Sequence, residues 1–571
     1  LHGLKEFGMH SEFDYIIVGS GFGGSVMACR LVEKGYRVCL LERGRQWKMH
    51  EFPRRPQEIQ KDMFWDPKDS QYGLMEFRDS AESDIMTLTA SGLGGGSLIY
   101  ANVLYRMPAE YIQDWPAGIT REFLDPYYDR VQAMMEARPY PYKNEFYYSD
   151  TPKTKAFIEV AEQLEQDEDM LEKPKIQFPP LAVRFEGEFP GHQTRNMHGA
   201  IQSKCNKCGE CDLGCNIHAK NSLDLNYIYR ARNHVNPLDV RTHADVTKIE
   251  EHGDVYKVTY QLQGANKSEV VTLIARHVVV SAGSVGSTSL LLKMKQQGHL
   301  PRLNQWLGKK WSGNGDLLGF VADGKSGYEP TKGPVITAAI EHKYKSYPDG
   351  FKHGLYIEDA GFPIGVAWYL SGKVPQILTL RSSLKLVWHN LVRFLKKVLR
   401  VDNSNDEINL GDDFASAIDR GDFLRRAYVL LGMGRDRSDG EITLRDDGEA
   451  VLKWSLAASE LHYSRVRKQM GRIAKALGGV FFDNPLTLLN KVIAVHPLGG
   501  CPMGDSPAQG FVSKRGEVFG HPGLYVVDGS IIPTSIGPNP SLTIAAMAEY
   551  IAEQIPAKGH VEQEKAETVM S

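Results

Sequence analysis

"DYIIVGSGFGGSVMACRLVEKGYRVCLLERG" (residues 14–44) is the stretch that decides the fold. Tyr15 to Val18 read as an apolar strand, and Gly19, Gly21 and Gly24 then satisfy G-x-G-x-x-G. A helix is expected from about Ser25 to Lys34, closed by Gly35, and Val38 to Leu41 make a second strand that ends in Glu42. Each glycine has a physical task. Gly19 makes the tight turn, Gly21 lets a pyrophosphate approach the backbone, and Gly24 lets helix and strand pack closely. The first helix amides then face the phosphates, and Glu42 can accept from ribose hydroxyls. FAD and NAD share the adenosine diphosphate that such a unit reads. The fingerprint occurs once, near the start, which leaves no second site of this type for a dissociable nicotinamide and points to a resident flavin.

The rest of the 571 residues sets the bounds. With 42% hydrophobic residues the chain can bury a large core, enough for roughly three or four domain-sized units. Sixty-seven basic against seventy acidic residues leave a formal net charge of -3, so no basic surplus suggests nucleic acid. "LHGLKEFGMHSEFD" (1–14) has no apolar signal core, and no later run reaches about 18 apolar residues. The expectation is a cytoplasmic protein with reduced thiols.

Further motifs follow. "SGLGGGSLIYANVLYRMP" (91–108) puts glycines ahead of an apolar run, suited to close approach of a flat ligand or to an ordinary glycine-rich loop. "HVVVSAGSVGSTSLLLKM" (277–294) reads as another strand, turn and helix of the same sheet. Together with "WSGNGD" (311–316), "VHPLGGCPMGD" (495–505) and "YVVDGSIIP" followed by "GPNPSLTIAAMAE", the chain resembles the FAD-dependent glucose-methanol-choline (GMC) oxidoreductases, and within them the cholesterol oxidase-like branch. The resemblance spans nearly the whole chain and is least distinct over about 320–480. It implies an α/β fold: a Rossmann-like FAD domain built from discontinuous segments, with a second α+β domain whose antiparallel sheet lies over the flavin. The division expected is 10–103, 195–320 and 488–556 for FAD, 104–194 and 321–487 for substrate, and a flexible tail at 557–571. The FAD contacts it implies are Gly19, Gly21, Gly24, Glu42, Gly94, Gly95, Gly96, Ser97, Asn102, Val246, Asp528 and Gly529.

Three residues are candidates for the chemistry. In His496-Pro497 the proline biases the histidine toward an extended backbone, and Gly499 and Gly500 leave room beside it for a ring system. An imidazole can take the hydroxyl proton of an alcohol while the carbon-bound hydrogen leaves as hydride; a packed structural histidine is the other reading. Asn539 is expected to cap the helix that Pro540 opens, over about Ser541 to Ile555, and the resemblance adds that it faces the substrate oxygen. Cholesterol oxidases use a buried carboxylate over the substrate ring, and "HGLYIEDAGFP" (353–363) offers Glu358, with Asp359 beside it. A surface acid on a strand is the alternative.

"CNKCGECDLGC" (205–215) departs from the simplest pattern of the family. Cys205, Cys208, Cys211 and Cys215 form a C-x2-C-x2-C-x3-C run, the spacing of iron-sulfur ligation, with Asn216 where a proline usually follows. One run limits the chain to one cluster, 3Fe-4S or 4Fe-4S. Zinc, two disulfides and inert buried thiols remain open. "CGECDLGCNIHAKNSLDLNY" (208–227) also resembles the loop with which related bacterial flavin dehydrogenases hold a cluster. A cluster near flavin would give electrons a one-at-a-time exit toward an acceptor protein or quinone; without it dioxygen becomes the acceptor and hydrogen peroxide the product.

"SSLKLVWHNLVRFLKKVLR" (382–400) repeats apolar residues at helical spacing around a basic face. It reads as a core helix with a solvated side or as a helix lying on a membrane surface, which would suit a water-insoluble alcohol. The sequence therefore points to an FAD-dependent oxidoreductase of a bulky hydrophobic alcohol, plausibly a 3-hydroxysteroid, working as a dehydrogenase or an oxidase. A flavin electron-transfer or redox-sensing protein and a non-redox lyase on the same scaffold are the alternatives.

Overall fold

The computed structural model describes residues 12–559, apart from 113, 264–268, 362–424, 485–486 and 488–489. The basic amphipathic segment at 382–400 and most of the expected tail lie outside the described residues. No helix among the described residues is long and apolar enough to cross a membrane.

The opening unit forms as its sequence dictates. Phe13–Val18 is central in a parallel sheet, flanked by Val38–Leu41 and by Val270–Val280. Asp239–Arg241 extends the sheet on one side and Leu524–Val526 on the other, both parallel. Central parallel strands are covered on both faces, and accordingly Ile16, Ile17 and Val278 to Val280 are fully buried. The hairpin Ala244–His252 and Val255–Leu262 adds antiparallel strands to the early half of Val270–Val280, with a register shift just past Val246. The expected strand-turn-helix at 277–294 appears as this strand followed by the helix Gly283–Gln296.

The first helix runs Phe22–Glu33, three residues ahead of the expected start, because Gly21 rather than Gly24 is its N-terminal boundary residue. A Cβ on Gly24 would sit 2.0 Å from Gly19 O and one on Gly23 1.7 Å from Val527 O. The glycines therefore let this helix lie directly on the turn and on the chain leaving the last strand. The helix packs against Ser541–Gln554, which carries the C-terminal motif.

A second sheet is antiparallel throughout, in the order Val480–Asp483, Leu317–Ala322, Tyr428–Gly434, Gly354–Glu358, Ala339–Lys343 and Lys175–Gln177. The expected division at 320 falls within Leu317–Ala322, whose pairings all lie in this sheet. The helix Glu460–Ala476 covers it through Tyr463, Val466, Met470 and Ile473. A third sheet joins Met75–Arg78, Ile85–Ala90 and Val492–Ala494.

Candidate active site and cysteine pocket

Two sheets deliver the candidate residues. Ile85–Ala90 and Val492–Ala494 run parallel, so the chain leaves both at one end, into the glycine loop at 91–98 and into His496. Asp316 directly precedes Leu317–Ala322, and Glu358 ends its own strand. Leu317 pairs with Gly432 and Glu358 with Leu431 on the strand between them, so the two acids stand at nearly the same level on either side of that strand, where one strand begins and the other ends.

His496 Nδ1 lies 2.8 Å from Asp316 Oδ1, while Asp316 Oδ2 accepts from the backbone N–H of Val495 at 2.7 Å and of His496 at 2.9 Å. Asp316 is fully buried. A carboxylate can only accept, so Nδ1–H donates and Nε2 keeps the lone pair that can receive a proton. Asp316 was legible only as part of a motif. The turn that aims it places Asn314 at φ 56° and Gly315 at φ 65°. Asn314 Oδ1 accepts from the N–H of Ile536 at 2.9 Å and Gly537 at 3.2 Å, and its amide donates to Pro538 O at 3.1 Å. One buried asparagine thus ties the turn carrying Asp316 to the approach to Asn539. Asp436 holds the turn from the other side, accepting from Ser312 Oγ at 2.5 Å and Gly313 N–H at 3.1 Å, and burial pushes its pKa up to about 7. His462 Nε2 bonds to Gly315 O at 2.8 Å.

Asn539 Nδ2 lies 3.4 Å from Glu358 Oε2. This corrects the expectation that Asn539 caps the last helix. The boundary residue is Pro540, no side chain caps that end, and the amide faces Glu358 instead. Glu358 is fully buried, and burial raises its carboxyl well above the usual range, favouring the neutral, hydrogen-bond-donating form. Asn539 Oδ1, Glu358 Oε1 and the Tyr105 hydroxyl are buried with no partner among the described residues. Buried polar atoms are normally paired, so three of them here call for a ligand. Asp359, the neighbouring candidate, is structural: it accepts from Thr337 N–H at 2.7 Å, Ala338 N–H at 2.8 Å and buried Lys153 Nζ at 2.9 Å.

Gly499 and Gly500 serve a different purpose from the one expected. A Cβ on Gly499 would be 1.9 Å from Lys310 O and one on Gly500 2.2 Å from Thr288 Oγ1. They seat the histidine loop against backbone and helix, where any side chain would collide. Gly529 joins the same loop, its carbonyl accepting from Gly499 N–H at 3.0 Å.

The FAD fit rests on open space and free donors. A Cβ on Gly21 or Gly283 would meet nothing within 4 Å, and the helix beginning at Phe22 has no side-chain cap, which leaves its first amides for an anion. Gly95 lies against Gly21, a Cβ there reaching Gly21 Cα at 2.6 Å, whereas Gly96 has only Phe22 at 4.0 Å. Asn102, fully buried at φ 69°, has its side chain against the Cys211 thiol. Other expected contacts are occupied by protein. Glu42 accepts from Ser20 N–H and Oγ, Gly44 N–H and Gly92 N–H at 2.6–3.2 Å, tying the two glycine loops together. Asp528 accepts from Gly283 N–H at 2.9 Å, Ser530 N–H at 2.8 Å and the hydroxyls of Ser287 and Ser530. Ser97 Oγ binds Gly94 O and Leu223 N–H at 2.7 and 2.9 Å. Val246 packs half-buried at the edge of the main core. The cradle therefore fits FAD through Gly21, Gly96 and Gly283, with Glu42 and Asp528 shaping the loops.

All four run cysteines line one cavity, together with Lys220, Gly333 and Pro334. All seven cysteines are free thiols, which excludes the disulfide reading for this structure. Among the described residues no three His, Cys, Asp or Glu side chains stand close enough to hold one metal ion, so the geometry is wrong for zinc. Burial raises the thiols of Cys205, Cys208 and Cys211. The cavity abuts the flavin loop: Lys220 Nζ donates to Leu98 O at 3.0 Å and to Cys211 O at 2.6 Å.

Comparison with known proteins agrees with this geometry. Family models described as GMC oxidoreductase match residues 13–295 and 436–548. A cholesterol oxidase of Acinetobacter baumannii is 29% identical, over 98% of this chain and 96% of that protein. One of Mycobacterium tuberculosis is 29% identical over 97% and 93%, and a 2-methyl-1,2-propanediol dehydrogenase of Mycolicibacterium austroafricanum is 25% identical over 95% of each. The crystal structure of pyridoxine 4-oxidase from Mesorbium loti superposes with a TM-score of 0.57 at 16% identity, covering 95% of this chain and 98% of that one. The chain belongs to the GMC oxidoreductases and is an FAD-dependent alcohol oxidoreductase acting on CH–OH groups.

Proposed function

We propose that this enzyme oxidises a bulky hydrophobic secondary alcohol of the 3-hydroxysteroid kind to a ketone, with His496 as the base and Asn539 and Glu358 holding the substrate oxygen. The carrying observation is that Asp316, the partner of His496, lies in the field of Glu358, whose Oε1, like Oδ1 of the neighbouring Asn539, is buried with no partner among the described residues. Bound FAD supplies the acceptor for the hydride. His496 Nε2 takes the hydroxyl proton, and Asp316 holds the ring in the tautomer that leaves Nε2 free and stabilises the imidazolium formed. The Asn539 amide N–H that is not directed at Glu358 and the neutral Glu358 carboxyl donate to the alcohol oxygen. The neutral Glu358 avoids placing a second negative charge beside the alkoxide character that develops there. An apolar substrate is supported by Tyr105 and Tyr356, whose rings lie 5.3 Å apart beside this site, and by the similarity to cholesterol oxidases over nearly the full length.

The cysteine cavity supports a 3Fe-4S or 4Fe-4S cluster as the electron exit. The four cysteines keep the C-x2-C-x2-C-x3-C spacing of iron-sulfur ligation and line one cavity. Each alcohol yields two electrons and two protons. Two equivalents of a one-electron acceptor, a protein or a quinone, then take the electrons, and the enzyme is a dehydrogenase. Anaerobic flavin bleaching by a panel of a 3-hydroxysteroid, a long-chain primary alcohol and a short diol tests the substrate class. The steroid should bleach fastest, and preference for the diol would overturn it. Iron and sulfide analysis of the same preparation tests the exit: flavin without iron would leave dioxygen as the acceptor.

A further inference from the structure

His462, fully buried on the helix Glu460–Ala476, is the inner end of a hydrogen-bond chain that begins near the surface. Its Nε2 bonds to Gly315 O at 2.8 Å and its Nδ1 to His353 Nε2 at 3.1 Å, while His353 Nδ1 lies 2.9 Å from Arg465 Nη1. The direction of this chain is fixed at both ends. A guanidinium only donates and a carbonyl only accepts, so each imidazole carries its single proton on Nε2 and both are neutral. A proton added to either ring would set two N–H groups face to face. Burial, with Arg465 nearby, accordingly holds both rings below the usual histidine range, His462 at about 4. Arg465 is anchored by Asp169, which accepts from Nε at 3.0 Å and from Nη2 at 2.8 Å, and its guanidinium lies over the Tyr344 ring at 4.3 Å. At the inner end, a Cβ on Gly315 would stand 2.3 Å from His462 Nε2 and one on Gly434 2.7 Å from Cε1, so the imidazole fills the space that both glycines leave. The bonded carbonyl shares one rigid peptide plane with the N–H of Asp316, and rotating that plane re-aims the Cα–Cβ bond of Asp316.

We propose that His462 is a positioning residue for the alcohol oxidation: the chain Arg465–His353–His462 locks the peptide between Gly315 and Asp316 and thereby holds the Asp316 carboxylate against His496 Nδ1. The inference rests on the His496–Asp316 reading proposed above. Because the chain ends on a carbonyl, it carries orientation and not protons. Removing its last bond frees the carboxylate to shift, and a displacement of about 1 Å at a reacting group costs on the order of 10²-fold in rate.

The test is a double-mutant cycle on the FAD-loaded enzyme at equal flavin content, with the alcohol of the panel above that bleaches the wild type fastest. Two quantities are read: the limiting rate of anaerobic flavin bleaching and the half-saturating alcohol concentration. The variants are His462→Phe, which keeps a ring in place and removes both bonds; His462→Gln, which keeps an amide donor and an acceptor oxygen; Asp316→Asn; and His462→Phe combined with Asp316→Asn. His462→Phe should lower the limiting rate by about tenfold or more with half-saturation within about twofold of wild type, and His462→Gln should recover most of the loss. In the Asp316→Asn background His462→Phe should cost less than about twofold, since the carboxylate it positions is gone. Full additivity of the two substitutions, no recovery in His462→Gln, or a wild-type rate in His462→Phe overturns the positioning role and leaves the His496–Asp316 pair standing. Should His462→Phe not accumulate as a folded flavoprotein, His353→Phe, which takes the donor from His462 Nδ1, replaces it in the cycle with an expected loss of about threefold or more, and additivity or a wild-type rate overturns the role in the same way. A wild-type rate in Asp316→Asn overturns the His496–Asp316 reading and this inference with it.

Discussion

Asp316 determines what His496 can do. With Asp316 accepting from Nδ1–H and from two backbone amides, the ring offers only Nε2 to a substrate. Asp316→Asn can pair with either tautomer, so it should slow anaerobic flavin bleaching by roughly 10²-fold or more while FAD content is unchanged. A rate within about threefold of wild type would show the aspartate to be structural. Asp436 supplies a separate, pH-dependent signature. Its pKa is pushed up by burial to about 7, from about 3.9 in an unfolded chain. Between those values the folded chain holds a proton that the unfolded chain has released. Stability is therefore full below the lower value and falls as pH rises toward the upper one, by at most about 1.4 kcal/mol per pH unit. Asp436→Asn does not titrate, so its melting temperature should gain on the wild type between about pH 4 and pH 7. A constant difference across that range would remove Asp436 as the source.

At the scale of elements, the glycines of the opening turn divide the work in a way that mutation can separate. A Cβ on Gly24 collides with Gly19 O at 2.0 Å, whereas one on Gly21 meets no protein atom. Gly24→Ala should destabilise the cofactor-free protein by about 3 kcal/mol or more. Gly21→Ala should leave cofactor-free melting nearly unchanged and weaken FAD uptake. Equal effects of the two on cofactor-free stability would contradict this division. The opening strand, turn and helix were legible because apolar β-branched runs and a glycine spacing are local signals. The helix start was misjudged by three residues because a glycine-rich sequence reads as turn even where the backbone is already helical. Asn539 and the pair Gly499 and Gly500 were misread for another reason: a cap and an open space are decided by what lies across the fold, here Glu358, Lys310 and Thr288.

At the scale of the molecule, the site exists only where separate sheets converge. His496, Asn539 and Glu358 could be named in the sequence through resemblance to a family, but Asp316, Asn314 and Lys220 act through partners 180, 222 and 122 residues away in the chain, which no local pattern reveals. The same convergence brings the cysteine cavity against the glycine loop at 91–98. The central claim is that His496 is the base of an alcohol oxidation at this convergence. The most direct measurement is anaerobic single-turnover flavin bleaching by a 3-hydroxysteroid, comparing the wild type with His496→Gln at equal FAD occupancy. Prompt bleaching in the wild type and its near-complete loss in the variant is the predicted result; bleaching of His496→Gln at the wild-type rate would contradict it.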